Sequence, residues 1–353
     1  MKTDKKILMT GNEAIAEGAI RAGCLFYAGY PITPQNELTA YMSRHMPEKG
    51  RIFIQAESEL AAVNMVFGAS ATGARAMTSS SSPGISLKQE GISYLAGAEL
   101  PAVIVNMMRG GPGLGNISPS QADYFQATKG GGHGDYHLIV LAPAAVEEAY
   151  DLMFTAFDLA DEYRGPVMIL GDGMLGQMME PMRMKEHKIN NIAKPWALTG
   201  CSGRKPNIIR SLYIKDGVLE EVNLRLQKKY QQIKEKEQRW EEELLDDAKL
   251  ILVSYGGMSR ICRGAVKNLR DKGIKAGLLR PISLWPFPDK GFEKAVRPGV
   301  KFLVVEMSYG QMVEDVRLSV NGKADVEFIG RSGGGILSEE QIIKKAQEVL
   351  KIK

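Results

Sequence analysis

Two carboxylates follow a short apolar segment of this sequence. Ile52–Ile54 predicts a strand, Glu57 and Glu59 come after it, and the small residues of Ser58–Thr72 predict a helix that begins at this point. A carboxylate at a strand-to-helix junction is partly removed from water, which changes the free energy of binding a proton. Such a carboxylate is a candidate for proton transfer in a ligand site.

An arginine and a proline-rich loop are candidates for contacts to an anionic ligand. Arg109 ends the apolar run Pro101–Met108, and a guanidinium can hold a carboxylate through two hydrogen bonds. The loop Tyr30-Pro31-Ile32-Thr33-Pro34 follows another predicted strand, and its prolines restrict the backbone. Taken alone, this loop fits an ordinary strand-exit turn as well as it fits a ligand contact.

A dinucleotide site is a poor interpretation of the glycines after Arg109. Three glycines within Gly111–Gly115 follow a predicted strand, and Asp135 lies downstream. The third glycine, however, comes one residue early, and Ser118-Pro119 stands where a helix should already run. We therefore discount a Rossmann-type site.

A second short motif, Gly171-Asp172-Gly173, also follows a predicted strand. Thiamine-diphosphate enzymes hold magnesium with such a motif and a later asparagine. The gap to Asn190 and Asn191 is shorter than in those enzymes, so we expect a tight turn instead.

The elements that must position these residues alternate between strand and helix. Near-continuous apolar runs such as Pro101–Met108 are typical of strands covered on both faces. The alternation predicts an α/β fold with a mostly parallel sheet. A charged segment, Glu220–Asp247, predicts a solvated amphipathic linker helix, and a second α/β unit begins at Lys249.

Bulk properties narrow the class of protein. A chain of 353 residues predicts two domains, and a net charge of +4 argues against a nucleic-acid-binding protein. Three distant cysteines predict neither disulfides nor an iron–sulfur site, which fits a cytoplasmic setting. The basic stretch Met1–Met9 lacks a following apolar core, so we expect no signal peptide and no membrane span.

Three motifs together resemble one family. The loop Tyr30–Pro34, the segment Glu57-Ser58-Glu59-Leu60-Ala61-Ala62 and the run Arg109-Gly110-Gly111-Pro112 resemble the alpha subunit of 2-oxoacid:ferredoxin oxidoreductases. The resemblance covers Gly11–Glu180, and the part after Lys249 is similar to the transketolase C-terminal domain. It implies a pyrimidine-binding thiamine diphosphate domain over residues 1–195, a linker with a charged helix over 196–247, and a transketolase C-terminal-like domain over 248–353.

The resemblance also implies cofactors and partners. Thiamine diphosphate would be shared with a beta subunit that binds its diphosphate, and magnesium and iron–sulfur clusters would lie on partner subunits, with no metal on this chain. The iron–sulfur delta and gamma subunits, ferredoxin, coenzyme A and a 2-oxoacid would be the other partners. Gly171-Asp172-Gly173 would then have no role in metal binding.

Residue roles follow from the same resemblance. Glu59 matches the family glutamate that binds the aminopyrimidine N1′, with Glu57 as the competing residue. Arg109 and Thr33 would hold the substrate carboxylate and carbonyl. The family pattern also places Pro31 and Ile32 at the substrate and Tyr30 at the cofactor.

The segment after Gly-Gly-Pro bears on the substrate. Gly113–Tyr124 and Gly130–Asp135 are most similar to branched-chain enzymes, which act on 3-methyl-2-oxobutanoate, whereas 2-oxoglutarate enzymes usually carry Ser-Thr-Gly there. We expect oxidative decarboxylation of a branched-chain 2-oxoacid to an acyl-CoA, with electrons passing to ferredoxin. The alternatives are a 2-oxoglutarate enzyme, a non-catalytic scaffold subunit and a nicotinamide dehydrogenase.

Overall fold

The computed structural model describes residues 6–352. The first five residues of the stretch Met1–Met9, and residue 353, lie outside the described residues.

A seven-stranded sheet carries most of the first half of the chain. Its strands are β2 (Phe26–Gly29), β3 (Ile52–Gln55), β4 (Ala76–Ser80), β5 (Ala102–Met108), β6 (Ile139–Leu141), β7 (Pro166–Asp172) and β12 (Ser283–Trp285). The order across the sheet is β12-β6-β7-β5-β4-β2-β3, and only β12 is antiparallel to its neighbour. Every residue of β5 and β7 is buried, so both faces of the sheet need helices to cover them.

Helices provide that cover on both sides. They are α1 (Gly11–Arg21), α2 (Asn36–Glu48), α3 (Glu59–Ala71), α4 (Ser82–Gly97), α5 (Tyr124–Thr128), α6 (Val146–Tyr163) and α7 (Gly173–Gln177). Helix α1 packs against α6, and α3 packs against α4. A small antiparallel ribbon joins β1 (Ile7–Thr10) to β8 (Met179–Met182).

A second sheet of five strands follows. Its strands are β9 (Trp240–Glu243), β10 (Leu250–Val253), β11 (Ala276–Pro281), β13 (Lys301–Glu306) and β14 (Asp325–Gly330), in the order β14-β13-β10-β11-β9. The accompanying helices are α8 (Val218–Lys236), α9 (Met258–Asp271), α10 (Asp289–Ala295), α11 (Met312–Val320) and α12 (Glu339–Leu350). Four of the five strands are parallel, as the alternation of elements predicts.

The charged segment differs from the sequence-based prediction. The helix α8 ends at Lys236, and Trp240–Glu243 forms β9, which pairs antiparallel with β11. Strand β9 is held by ion pairs, including Arg263 with Glu241 at 2.8 Å. Helix α8 itself is amphipathic, with Val222, Leu226, Tyr230 and Ile233 buried on one face.

Several elements have no counterpart in the sequence-based prediction, and α2 and β12 are examples. Helix α2 follows the proline loop and contains Pro47, whose presence weakens a helical pattern. Strand β12 belongs to the first sheet although it follows β11 in the chain, because Ser283 and Trp285 pair with β6. Its three residues are too few to carry a periodic signal.

Candidate functional site

Glu59 opens the helix that follows β3. The Ser58 hydroxyl caps α3 by accepting the N–H of Ala61 at 3.1 Å, and so the helix begins at Glu59. The Glu59 carboxylate lies in the first turn, where the helix dipole favours negative charge. Glu59 is only 6% exposed, whereas Glu57 is exposed. Of the two candidate carboxylates, Glu59 is the buried one.

Helix α4 approaches Glu59 closely because a glycine stands at the point of contact. A β-carbon at Gly84 would lie 2.6 Å from Glu59 Oε1 and 2.0 Å from Ser80 Oγ. Two turns later, a β-carbon at Gly91 would lie 2.5 Å from Val63 Cγ1. The two glycines share one face of α4 and allow it to pack tightly against α3.

The Glu59 carboxylate has no hydrogen-bond partner among residues 6–352, whereas its backbone carbonyl accepts from Lys88. The neighbouring hydroxyls of Ser80 and Ser81 are buried and also lack partners within the described residues. Buried polar groups are normally hydrogen-bonded. Unpartnered groups beside a buried carboxylate indicate a site for a polar ligand.

A fully buried lysine lies behind Glu59. Lys88 Nζ donates to the Glu59 carbonyl oxygen at 3.1 Å and to Thr78 Oγ1 at 3.0 Å. Burial lowers the pKa of Lys88 to about 7, and the Glu59 carboxylate opposes that shift. Lys88 is absent from the sequence-based candidates. The signal for it is its spacing on the glycine face, four residues after Gly84 and three before Gly91.

Arg109 ends β5 and joins two loops. Its Nη1 donates to the Thr33 carbonyl and its Nη2 to the Leu114 carbonyl, each at 3.0 Å. Arg109 is 7% exposed, and its Nε is buried without a partner among the described residues. Each Nη keeps a second hydrogen, so the guanidinium can position both loops and still donate to a ligand.

A further carboxylate connects Arg109 to the start of α4. Asp123 Oδ2 accepts from Ser82 Oγ at 2.6 Å and from Asn106 Nδ2 at 2.9 Å, while Ser82 Oγ accepts from the backbone N–H of Arg109 at 3.0 Å. Burial raises the pKa of Asp123, and the two hydrogen bonds oppose this shift. Asp123 was not a sequence-based candidate, because no local pattern marks its contacts with Ser82 and Asn106.

The proline loop lies beside Arg109. Besides the bond from Arg109 to Thr33, the loop is joined to β4 through Gln35, whose Oε1 accepts from Ser79 Oγ at 2.6 Å. The exposed loop residues are Tyr30 and Pro31, and the half-buried ones are Ile32 and Thr33.

The structure therefore brings the sequence-based candidates together. Glu59 contacts Gly84 and Arg109 contacts Ser82, so both meet the first turn of α4, and Thr33 touches Arg109. All of them lie at the carboxyl ends of β2 to β5. The chain order reverses here, since β3 lies on one side of β2 and β4 on the other. Ligands of open α/β sheets bind at such a switch point.

Gln121 joins the segment after Arg109 to the second sheet. Its side chain donates to the Tyr255 carbonyl at 2.8 Å and accepts from the Met307 N–H at 2.9 Å. Its backbone N–H donates to the Met307 carbonyl at 2.9 Å, and its carbonyl accepts from the Tyr255 hydroxyl at 3.1 Å. Gln121 is fully buried, so these four hydrogen bonds fix one point of the loop against the second unit.

Gln311, just before α11, holds the same segment further along. It donates to the Ala122 carbonyl at 2.7 Å and accepts from the Phe125 N–H at 2.8 Å. The start of α11 is itself held by the buried carboxylate of Glu306, which accepts the N–H groups of Gln311, Met312 and Val313. Burial raises the pKa of Glu306, and these backbone donors oppose the shift.

The motif Gly171-Asp172-Gly173 contributes to a contact between the two units. Asp172 caps α7 by accepting the N–H of Leu175 at 2.9 Å, and it accepts the N–H of Gly257 at 2.7 Å. The expected tight turn is thus the start of a short helix. Asp172 is buried, and its two carboxylate oxygens are engaged by backbone donors.

One sizeable cavity lies away from these residues. It has a volume of about 690 Å³ between Gly134–His137 and the start of α8, with Lys129, Glu220 and Gln227 in its wall. No unpartnered buried polar atom of the described residues lines it. The unpartnered polar groups beside Glu59 therefore favour the first turn of α4 as the site.

Residues 6–352 contain neither a metal-binding cluster nor a membrane-spanning helix. No group of three or more His, Cys, Asp or Glu side chains there is arranged to hold a metal ion. None of the helices in that range has the length and apolarity needed to cross a membrane.

The fold and the site define a class: an α/β protein with a parallel sheet, a second α/β unit and a buried carboxylate at the switch point. The sequence model described as pyruvate flavodoxin/ferredoxin oxidoreductase, thiamine diphosphate binding, matches residues 17–244. The model described as pyruvate:ferredoxin oxidoreductase core domain II matches residues 248–342.

Individual proteins are similar along the whole chain. The ketoisovalerate oxidoreductase subunit VorB of Methanothermobacter thermautotrophicus is 52% identical over 97% of both chains. The 2-oxoglutarate synthase subunit KorA of the same organism is 38% identical over 96% of this chain and 97% of its own. The 2-oxoglutarate:ferredoxin oxidoreductase of Magnetococcus marinus, solved with 2-oxoglutarate, coenzyme A and succinyl-CoA, has a TM-score of 0.87 and 26% identity. That match covers 99% of this chain and 66% of the other.

The chain belongs to the thiamine-diphosphate-dependent 2-oxoacid:ferredoxin oxidoreductase family. The expected fold class and family are thereby confirmed. Members are multi-subunit oxidoreductases, so this chain functions within a complex.

Proposed function

We propose that this chain is the alpha subunit of an enzyme that oxidatively decarboxylates a branched-chain 2-oxoacid. The product is an acyl-CoA, carbon dioxide is released, and ferredoxin accepts the electrons. The observation that carries the substrate class is the 52% identity to a ketoisovalerate oxidoreductase subunit, against 38% to a 2-oxoglutarate synthase subunit of the same organism.

The residues near Glu59 fit the pyrimidine half of thiamine diphosphate. An aminopyrimidine has a ring nitrogen that shares a proton with a carboxylate and an amino group that needs an acceptor. Here a buried carboxylate without a protein partner lies beside Gly84, with the unpartnered hydroxyls of Ser80 and Ser81 nearby. When bound, the cofactor supplies a carbon nucleophile and an electron sink for the decarboxylation.

In this proposal Glu59 shares a proton with the pyrimidine N1′. Its position in the first turn of α3 keeps the carboxylate fixed, and burial keeps water from competing for the proton. Glu57 is the weaker candidate because it is exposed.

Arg109 and Thr33 hold the substrate in the same proposal. The free Nη hydrogens of Arg109 would grip the carboxylate, and the Thr33 hydroxyl would donate to the 2-oxo group. Pro31 and Ile32 would form the adjoining wall, and Tyr30, which is 39% exposed, would contact the cofactor.

Other subunits complete the enzyme. We propose that a beta subunit binds magnesium and the diphosphate, and that delta and gamma subunits carry the iron–sulfur clusters. We assign residues 1–195 to cofactor binding, 196–247 to the linker and 248–353 to the transketolase-like domain, and we place the complex in the cytoplasm.

The test is an assay of the complex purified from its native organism with this chain tagged. Rates of ferredoxin reduction are measured with coenzyme A and either 3-methyl-2-oxobutanoate or 2-oxoglutarate. We expect kcat/KM to be at least about 100-fold higher for the branched substrate, which one well-placed apolar pocket can supply. The reverse preference would favour the 2-oxoglutarate alternative.

A second measurement separates a catalytic subunit from a scaffold. Thiamine diphosphate binding is compared between the alpha–beta pair and the beta subunit alone. We expect strong binding only by the pair. Equal binding by beta alone would contradict the role of this chain in the cofactor site.

A further inference from the structure

Helix α4 presents three residues to α3, and the middle one is charged. Gly84, Lys88 and Gly91 are spaced four and three residues apart, so they share one face. Both glycines lie where a β-carbon would collide with α3. Lysine at the centre of such a tightly packed helix pair is unexpected, because an apolar residue would avoid the cost of burying charge.

The contacts of Lys88 are directed at the first turn of α3. Its Nζ donates to the carbonyl oxygen of Glu59, the residue whose carboxylate faces Gly84, and to Thr78 Oγ1 on β4. Lys88 has no exposed surface in the chain. The ammonium group therefore joins the strand β4 and the helix α4 to the residue that we propose as the proton-sharing carboxylate.

We propose that Lys88 is a positioning residue for the thiamine diphosphate reaction, which acts by fixing Glu59 and by placing a positive charge near the Glu59 carboxylate. This inference rests on the proposed role of Glu59. Both hydrogen bonds of Lys88 go to protein groups, the Glu59 carbonyl and Thr78 Oγ1, and so its proposed role is exerted through Glu59.

The electrostatic environment supports an action through Glu59. The charged group that acts on Lys88 from α3 is Glu59, and β4 presents the neutral Thr78. The Glu59 carboxylate therefore attracts the Lys88 ammonium and opposes the effect of burial on the lysine. Burial brings the pKa of Lys88 to about 7, so this charge changes near neutral pH. A neutral amine retains two hydrogens, which suffice for both observed bonds.

Four variants of the assembled complex separate position from charge. Lys88→Met removes both the hydrogen bonds and the charge, whereas Lys88→Gln keeps a hydrogen-bond donor without the charge. Thr78→Val removes one hydrogen bond while the charge stays. Lys344→Met, on the exposed side of α12, is the matched lysine control. The readout is exchange of the cofactor C2 proton with deuterium, followed by NMR between pH 6 and pH 9.

We expect Lys88→Met to slow this exchange roughly 10- to 100-fold at pH 6.5, the size of a lost electrostatic contact in a dry site. Lys88→Gln should be intermediate and Thr78→Val within about threefold of the wild type. The difference in exchange rate between Lys88→Met and the wild type should become smaller towards pH 9, because the wild-type lysine then loses its own charge. Exchange within about twofold of the wild type at every pH would overturn the inference.

The double variant distinguishes this inference from the proposal on Glu59. If Lys88 acts through Glu59, Lys88→Met should cause no further loss of exchange in a Glu59→Gln background. Normal exchange in Glu59→Gln alone would refute the role of Glu59. Strongly reduced exchange in Glu59→Gln, with wild-type exchange in Lys88→Met, would refute only the role of Lys88.

A double-mutant cycle of unfolding midpoints provides a readout that does not depend on catalysis. It also shows whether each variant is folded. The unfolding midpoints of the wild type, the two single variants and the double variant are compared at pH 6.5. We expect the double variant to differ by several degrees from the sum of the single changes, because the two groups interact in the fold. Strict additivity would contradict an interaction between the Lys88 ammonium and the Glu59 carboxylate.

Discussion

The two sides of the site are held in different ways. The carboxylate side, Glu59 with α3 and α4, is fixed by contacts between neighbouring elements of the first sheet, such as Lys88 to Glu59. The loop side, Gly110–Lys129, is fixed largely by the second unit, through Gln121 to Met307 and Gln311 to Ala122. One side is assembled locally, whereas the other depends on residues more than 180 positions away.

This difference separates two tasks. Proton sharing with a cofactor requires a carboxylate at a fixed position, and a tightly packed helix pair provides that. Substrate recognition needs a loop that can differ between enzymes of one family, and loops on a rigid scaffold tolerate such change. Because the second unit holds the loop, changes at the contact between the units can alter the loop without disturbing Glu59.

The largest effect is expected on the carboxylate side. Glu59→Gln keeps the shape of the side chain but removes the acceptor of the shared proton, so the rate of C2 proton exchange should fall on the order of 1,000-fold. Glu57→Gln is the matched control, because Glu57 is exposed, and we expect it to exchange at the wild-type rate. Exchange lost in Glu57→Gln and kept in Glu59→Gln would reverse the assignment.

The buried Lys88 on the carboxylate side should also lower the free energy of unfolding. Burial lowers the pKa of Lys88 from 10.5 to about 7, so the unfolded chain binds more protons between these values. The loss of stability caused by the buried lysine is therefore at its maximum below pH 7, and it disappears as the pH rises towards 10.5. Lys88→Met should raise the free energy of unfolding by on the order of 3 kcal/mol at pH 6, since each pKa unit corresponds to about 1.4 kcal/mol and hydrogen bonds are lost.

Denaturant unfolding at pH 6, 8 and 10 measures this gain. It should decrease steadily along that series, whereas Lys344→Met, an exposed lysine, should give no pH-dependent gain. A gain that increases with pH would have the wrong sign for a buried lysine.

Arg109 directly precedes the loop side and holds it at Leu114. Arg109→Ala should raise the KM for the 2-oxoacid by roughly 100-fold, since a charge-assisted hydrogen bond contributes about 2 to 3 kcal/mol. C2 proton exchange without substrate should change little, because Glu59 and Lys88 are untouched. Arg109→Lys keeps the charge but cannot bind Thr33 and Leu114 together, so it separates charge from geometry. An unchanged KM in Arg109→Ala would contradict a carboxylate contact.

The sequence predicts the carboxylate side better than the loop side. Ile52–Ile54 followed by Ser58–Thr72 predicts a strand and a helix, and the structure has them at Ile52–Gln55 and Glu59–Ala71. These are local patterns of apolar and small residues. Gln121 acts through Tyr255 and Met307, which lie far along the chain, and no spacing in one sequence reports such contacts.

Lys88 is an intermediate case. The alternation of strands and helices is predicted, but the side of α4 (Ser82–Gly97) that faces α3 is not. A lysine is normally assigned to solvent, and only the flanking Gly84 and Gly91 indicate the opposite. The helix predicted for the charged segment is wrong at Trp240–Glu243 for a related reason. This stretch has a polar sequence, but its pairing with β11 and its arginine partners make it a strand.

The smallest predicted effect tests the dependence of the loop on the second unit. Gln121→Leu keeps the volume of the side chain but removes its bonds to Tyr255 and Met307, while the backbone bonds of residue 121 remain. We expect kcat/KM for the oxoacid to fall about tenfold, roughly 1.4 kcal/mol, because a mobile loop positions the substrate less often. C2 proton exchange should stay at the wild-type rate. A matching loss of exchange would mean that the two sides are coupled, and the division between a local and a dependent side would then be wrong.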